Sequence, residues 1–177
     1  MEDRKKICDW IEENKEKAFA VSDQLWEHPE LSMQEYESSK AIETLLKNFG
    51  FNVETGVAGM PTAFVATAGK GRPVLAFSSE YDALPGLSQK KDAVVHDPVV
   101  EMAPGHGCGH NLMAVGGVLA AAALYQYIKE KNLPGTVKVF GTPAEELCIG
   151  KPFMAREMCI RDRAGDFRKR GFLWARL

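Results

Sequence analysis

Apolar residues recur at helical spacing near the start of the chain and predict a helix over residues 3–27. His28-Pro29 ends this helix, because the residue before a proline is disfavoured in the helical region. A second helix is predicted from near Ser32 to Gly50, where glycine closes it. Ser32 and Glu35 have the spacing of a capping box, so we expect their side chains to cap its first turn.

Short runs of apolar and β-branched residues follow, bounded by glycine and proline, and they predict strands. These runs are residues 51–54, 62–67, 74–78 and 136–141, and a helix is predicted over residues 111–131, between the last two. The long segment between residues 80 and 109 has no regular pattern, which is typical of a functional or disordered loop. The strand–helix–strand order predicts an α/β fold whose central sheet is flanked by helices.

Composition and charge argue against several classes of partner. The 177 residues carry 22 basic and 24 acidic side chains, a net charge of -2, and no basic field that would indicate nucleic acid. The charged N-terminus lacks the apolar core of a secretory signal, and the apolar stretch 114–124 is shorter than the ~20 residues of a membrane span. We therefore expect a cytoplasmic protein without membrane or nucleic-acid partners, whose four cysteines are free thiols.

Pairs of carboxylates follow two of the predicted strands, at the edge of the sheet where α/β folds bind ligands. Glu80 and Asp82 follow the third strand, and Asp82 has a suitable place to orient a metal-bound imidazole. Glu145 and Glu146 follow the fourth strand, where one acid can bind metal while its neighbour deprotonates water. Taken singly, the first pair is more typical of a solvated strand end and the second of a charged turn.

The loop over residues 104–111 places a thiol and two imidazoles among glycines, which allow neighbouring side chains to converge on one point. The three side chains are His106, Cys108 and His110. Thiolate and imidazole are both good zinc ligands, although a glycine-rich loop without metal is the alternative interpretation.

Taken in order, these stretches resemble the aminoacylase and glutamate-carboxypeptidase-like metallopeptidases, a dinuclear family that hydrolyses N-acyl amino acids and small peptides. Within that family they are similar to the branch that cleaves p-aminobenzoyl-glutamate. The resemblance covers about residues 5–156. It is carried by the blocks His28–Ser32, Glu80–Gln89, Gly105–Leu112, Gly135–Val137, Glu145-Glu146 and Gly150–Glu157.

The resemblance implies an incomplete three-layer, zinc-peptidase-like catalytic domain that holds two divalent ions, zinc or manganese. Cys108, His110 and Glu146 would be metal ligands. Glu145 would be the general base that deprotonates the attacking water, and Asp82 would support the site. The implied reaction is hydrolysis of an amide in N-acyl amino acids or aminobenzoyl-glutamate-like small molecules, by a protein that forms homo- or hetero-oligomers.

The resemblance ends after Glu157, and residues 158–163 instead resemble a translated sequencing adapter. We therefore predict that residues 1–157 are the N-terminal part of the catalytic domain and that residues 158–177 are a non-native tail; a basic amphipathic tail is the alternative. Family members take further histidine ligands and a dimerisation domain from later sequence, whereas this chain has no histidine beyond His110. We expect the chain to be inactive by itself.

Two other functions account for some of the same residues. They could form a non-catalytic metal-binding or regulatory domain, or Cys108 could be the nucleophile of a cysteine hydrolase with His106 or His110 as its base. The second alternative leaves Glu145-Glu146 without a role. The residues after that acid pair are less glycine-rich than the family's, and Cys148 among them is interpreted as a buried or half-buried thiol and not as a ligand.

Overall fold

The computed structural model describes residues 2–161 and 173–174, which are organised around one mixed sheet. The helices are α1 (Glu2–Glu27), α2 (Tyr36–Asn48), α3 (His110–Glu130) and α4 (Gly150–Arg161), with a 3-10 turn at Val57–Gly59. The strands are β1 (Asn52–Thr55), β2 (Phe64–Lys70), β3 (Val74–Ser79), β4 (Gly135–Gly141) and β5 (Leu173–Trp174). The four predicted strands are all present, with ends shifted by only a few residues.

The sheet has the order β1-β2-β4-β3-β5. β1 pairs with β2 and β2 with β4 in antiparallel orientation, whereas β3 is parallel to both β4 and β5. The connection from β3 to β4 runs through α3, as parallel neighbours require a crossover. Ser79 lies opposite Gly141, so the last residues of β3 and β4 are adjacent and the chain leaves both strands at the same edge.

Helices lie on both faces of the sheet, which confirms the predicted α/β architecture. α1, α2 and α3 cover one face with a core that includes Leu25, Leu46, Phe64, Val118 and Val139. Residues that alternate with these along the strands point to the other face, since successive strand side chains face opposite ways. There Phe140 packs with Met154 of α4 and Val57 of the 3-10 turn.

α3 is the central helix of this domain and begins at the functional loop. Its small residues allow a close approach to the sheet: a Cβ atom added at Gly117 would lie 2.6 Å from the carbonyl oxygen of Ser78. Length and hydropathy alone would let this helix cross a membrane, but half of its most apolar window is buried in the fold, and central helices of globular domains pass the same test. The buried helix expected around residues 114–124 is therefore present.

The segment between α1 and α2 corrects one prediction. Glu35 is at the N-cap position of α2 but makes no capping hydrogen bond, so the predicted capping box of Ser32 and Glu35 is wrong. Glu30 caps the helix instead: its carboxylate accepts the N–H groups of Glu37 and Ser38 at 3.1 and 2.8 Å. Residues 31–35 form a turn against the sheet edge before α2 begins at Tyr36. The side chains of Ser32 and Glu35 therefore make long-range contacts, with Asp82 and with the N–H of Ala144.

α4 was not predicted from the sequence, since its apolar residues show little helical periodicity and Pro152 lies in its first turn, where proline is tolerated. The domain boundary predicted after Glu157 falls within this helix. Residues 162–172 and 175–177 of the predicted tail lie outside the described residues, so the non-native tail remains a prediction.

Candidate metal centre

The two carboxylate pairs meet because β3 and β4 are parallel neighbours. The N–H of Thr142 donates to the carbonyl of Ser79 at 2.9 Å, which extends the pairing past the strands. The N–H of Glu146 then donates to Asp82 Oδ2 at 2.9 Å, so the segments after β3 and β4 are joined by side chain as well as backbone. Gly141, the last residue of β4, lies directly against Phe64, since a Cβ atom there would lie 2.1 Å from the Phe64 ring.

The glycine-rich loop brings Cys108 and His110 to the same edge. Gly109 has a φ of 80° immediately before α3, a left-handed conformation that favours glycine. Gly105 passes so close to the neighbouring loop that a Cβ atom would lie 1.9 Å from the carbonyl oxygen of Leu87. This local geometry buries His110, which is 1% exposed, while Cys108 stays exposed.

His110 is the centre of the site and is oriented by Asp82. Its Nδ1 donates to the backbone carbonyl of Asp82 at 3.0 Å and lies 3.1 Å from the carboxylate Oδ1 of the same residue. Asp82 is itself held by the hydroxyl of Ser32, which donates to Oδ2 at 2.7 Å. This arrangement leaves Nε2 of His110 as the nitrogen available to a ligand, as in histidines that bind metals.

Charges around His110 shift the pKa values of both members of this pair. Burial alone would lower the pKa of His110, but hydrogen bonds to Asp82 and its negative charge outweigh that effect and raise the pKa to about 9. Burial likewise opposes ionisation of Asp82, yet hydrogen bonds from His110, the Glu146 amide and Ser32 outweigh it and lower the pKa. The site therefore stabilises positive charge on or beside the imidazole.

Two sets of side chains around His110 could hold a divalent ion. Cys108, His110 and Glu146 offer ligand atoms within 4.8 Å of one another, and so do Glu80, His110 and Glu145. In the second set, Oε2 of Glu80 and Oε2 of Glu145 each lie 3.6 Å from His110 Nε2. These separations are too long for hydrogen bonds but match two ligands that each lie ~2.0–2.2 Å from one ion.

The donors of the first set fit a metal ion in chemistry as well as in distance. Oε1 of Glu146 is buried, has no hydrogen-bond partner among the described residues and lies 3.8 Å from Nδ1 of His110, so a cation would supply the close partner that it lacks. Desolvation of the sulfur and the nearby Glu146 carboxylate raise the pKa of the Cys108 thiol, and a neighbouring cation would favour its thiolate form. Thiolate, imidazole and carboxylate are each groups that bind zinc in proteins.

Lys151 and Glu80 were not assigned a role in the sequence-based prediction. Lys151, in the first turn of α4, places its Nζ 2.5 Å from Oε1 of Glu80 and 3.6 Å from Oε1 of Glu145. Each carboxylate thus directs one oxygen toward Lys151 and the other toward His110. The only sequence signal for Lys151 was its place in the block Gly150–Glu157, and that block showed no chemistry of its own.

His106, the other imidazole of the glycine-rich loop, and Cys148, in the turn after β4, lie outside both ligand sets. His106 Nε2 donates to the carbonyl of Leu25 at 3.1 Å, so this imidazole attaches the loop to α1. Cys148 is exposed, which corrects its interpretation as a buried or half-buried thiol, and its N–H donates to the carbonyl of Glu145 in a tight turn. Cys148 has a φ of 56°, and this turn lies on the surface, with Leu147 beside it also exposed.

The sequence model of peptidase family M20/M25/M40 matches residues 76–172, more than half of the chain and every residue of both candidate ligand sets. The chain belongs to this family. The predicted resemblance to dinuclear metallopeptidases is thereby confirmed. The match does not decide whether the catalytic domain ends at Glu157, which stays a prediction.

Individual M20 proteins are similar over most of the chain. A p-aminobenzoyl-glutamate hydrolase subunit of Escherichia coli is 40% identical over 156 residues, which are 88% of this chain and 32% of that protein. The N-acetylcysteine deacetylase of Bacillus subtilis is 34% identical over 71% of this chain and 32% of the deacetylase. A solved dinuclear metal-binding M20 peptidase from Bacillus subtilis is 28% identical with a TM-score of 0.66, over 81% of this chain and 39% of that one.

The chain spans about a third of the length of the curated M20 relatives that it matches. The structure brings all five predicted site residues together: Asp82 supports His110, Cys108 and Glu146 lie in one ligand set, and Glu145 lies in the other. The geometry is consistent with the predicted roles, and those roles remain predictions.

Proposed function

We propose that the whole protein is a metal-dependent amidohydrolase that cleaves an amide bond in N-acyl amino acids or aminobenzoyl-glutamate-like substrates. One observation carries the proposal: a thiol, an imidazole and two adjacent carboxylates converge at the carboxyl edge of parallel strands in an M20 chain. The activities for which two relatives are named, hydrolysis of p-aminobenzoyl-glutamate and deacetylation of N-acetylcysteine, support this substrate class. Each of these reactions cleaves a small molecule at an acylated amine.

The residues of this chain divide the chemistry between binding and proton transfer. Cys108, His110 and Glu146 would hold an ion that polarises the scissile carbonyl and lowers the pKa of the attacking water. Asp82 fixes the imidazole of His110 through Nδ1, so that Nε2 faces the site. Glu145, whose side chain is 31% exposed, is open to solvent and serves as the general base that takes the proton from water and returns it to the leaving amine.

We propose two divalent ions, zinc or manganese, because Glu80 lies beside the first ligand set and its carboxylate suits a second cation, while Glu145 remains the general base. The thiolate and imidazole favour zinc, whereas the Glu80 carboxylate is also compatible with manganese. A reduced Cys108 thiol is expected in the cytoplasm, so we place the protein there, without nucleic-acid or membrane partners. The Escherichia coli relative is named as one subunit of its hydrolase, which supports an oligomer, either of like or of unlike chains.

We further propose that the 177-residue chain is inactive alone. It spans only about a third of its curated relatives, and each ligand set includes the same histidine. One imidazole nitrogen binds one ion, so a dinuclear centre needs ligands from elsewhere in the whole protein.

Hydrolysis by the whole protein that contains this sequence tests the proposal. We expect release of glutamate from p-aminobenzoyl-glutamate, or of the amino acid from N-acetyl amino acids, that chelation abolishes and zinc or manganese restores. Glu145→Gln should lower kcat about 100-fold or more while metal content is retained. Metal binding without hydrolysis of any amide would favour a regulatory domain, and activity that resists chelators but not alkylation would favour a cysteine hydrolase.

A further inference from the structure

Glu35 is a buried carboxylate for which the proposed mechanism has no use. It is 0% exposed, and burial raises its pKa. Its Oε1 accepts the N–H of Ala144 at 2.8 Å, and its Oε2 accepts the hydroxyl of Thr62 at 3.1 Å. No lysine, arginine or histidine within the described ranges pairs with it, so a costly buried acid is held by neutral donors alone.

Its partner Ala144 directly precedes the site carboxylates. Ala144 is fully buried and has a φ of 55°, a left-handed conformation that is uncommon for a residue with a side chain. Such a conformation persists only where surrounding contacts hold it. The Glu35 carboxylate supplies a contact of this kind at the backbone N–H of that residue.

Alternate amides of the segment 142–146 are each anchored to a different residue. The N–H of Thr142 donates to the end of β3, the N–H of Ala144 to Glu35, and the N–H of Glu146 to Asp82. The first and third anchors lie on the β3 side of the site. The second comes from the segment before α2, 109 positions away in sequence, and is the anchor that fixes the middle of the turn.

We propose that Glu35 is a positioning residue that holds the backbone at Ala144 and thereby places the carboxylates of Glu145 and Glu146 at the metal centre. The functional part of this inference rests on the proposed function, whereas the contact itself does not. A glutamine at this position keeps an acceptor for the Ala144 amide. An aspartate is one methylene shorter and withdraws the acceptor, and a leucine removes it.

The test compares Glu35→Leu, Glu35→Asp and Glu35→Gln in the whole 177-residue chain. Glu43→Leu is the matched control, because Glu43 is also a buried glutamate near the start of the domain but contacts Lys47 on the surface of α2. Amide hydrogen exchange at Ala144 reports the contact, and the affinity for Co²⁺ with its thiolate charge-transfer absorption reports the ligand geometry. Urea unfolding of each variant separates these readouts from a general loss of stability.

We expect Glu35→Leu and Glu35→Asp to exchange the Ala144 amide faster and to bind Co²⁺ about 10- to 100-fold more weakly, as for other residues that orient metal ligands. Glu35→Gln and Glu43→Leu should remain within about threefold of the wild type. If Glu35→Leu does not fold, Glu35→Asp carries the same prediction.

Unchanged exchange at Ala144 in Glu35→Asp would overturn the inference, as would faster exchange with unchanged Co²⁺ affinity. Equal weakening by Glu43→Leu would also overturn it, because the effect would then follow burial and not position. Failure of the wild-type chain to bind Co²⁺ would count against the proposed function, whereas selective loss of protection at Ala144 would still support the positioning contact. The two failures are therefore distinguishable.

Discussion

Two neighbouring glycines of α3 provide a direct test of how closely this helix approaches the sheet. Gly116 is exposed, and a Cβ atom added there meets nothing within 4 Å. Gly117 is buried, and a Cβ atom added there would lie 2.6 Å from the carbonyl oxygen of Ser78, a distance that real Cβ atoms essentially never show. We predict that Gly116→Ala stabilises the protein and that Gly117→Ala does not.

The magnitudes follow from two opposing effects. Alanine is favoured over glycine in a helix interior by ~0.8–1 kcal/mol, and both substitutions gain this contribution. Gly117→Ala must in addition push α3 away from β3, because the obstructing atom is backbone and cannot rotate aside, and such overpacking costs ~1–3 kcal/mol. Since the helix term cancels between the two variants, their unfolding free energies should differ by ~1–3 kcal/mol, with Gly117→Ala the less stable.

Urea unfolding of the two variants and the wild type measures this difference through the transition midpoints, provided that the m-values agree. Gly117→Ala should also disturb the site, because α3 begins at His110 and a shift of the helix would displace that histidine. Equal stability of the two variants would refute the reasoning, because α3 would then not lie against β3 as closely as the structure has it.

Three further predictions concern charged side chains. Lys151→Met should strengthen binding of a divalent ion by about tenfold in a calorimetric titration, because the substitution removes a positive charge that repels the ion and occupies Glu80 and Glu145. Unchanged affinity would show that Lys151 does not compete with the ion. Burial raises the pKa of Glu35 above its ordinary 4.5, so its contribution to stability is present below that pH and is lost as the pH rises through the folded-state pKa. Glu35→Gln should therefore make the unfolding free energy less pH-dependent above 4.5, and parallel curves for the two proteins would contradict this. Glu30→Gln should lower the unfolding free energy by ~0.5–2 kcal/mol, since it weakens the charged cap of α2, and no change in urea midpoint would show that the cap is dispensable.

Much of the fold was predictable because its signals are local. The apolar runs before Ser79 and Gly141 and the helix between them determine a parallel pair of strands, and that pairing brings the two acid pairs to one edge. Cys108 and His110 were predictable for the same reason, since glycines between them leave the loop free to turn. The signals for each strand, for the helix and for the loop lie within a few residues of one another, and the crossover helix then determines the parallel pairing.

The features that could not be predicted depend on contacts between distant segments. Ser32 and Glu35 have the local spacing of a helix cap, but their side chains bond to Asp82 and to the Ala144 amide, and no local pattern reports those partners. Lys151 reaches Glu80 only because α4 packs against the turn after β4, where a Cβ atom at Gly150 would lie 1.8 Å from a backbone oxygen. Long-range packing overrode the local propensity at each of these positions.

The measurement that tests the central claim most directly is the metal content of the purified chain by mass spectrometry, after incubation with zinc or manganese and removal of free ions. Cys108→Ala and His110→Ala are the test variants, and Cys148→Ala is the matched control, because Cys148 is exposed near the site but lies in neither ligand set. We predict a stoichiometric ion in the wild type and in Cys148→Ala, and its loss in both test variants. An ion that persists in both test variants, or a wild type that retains none, would contradict a metal centre built on Cys108 and His110.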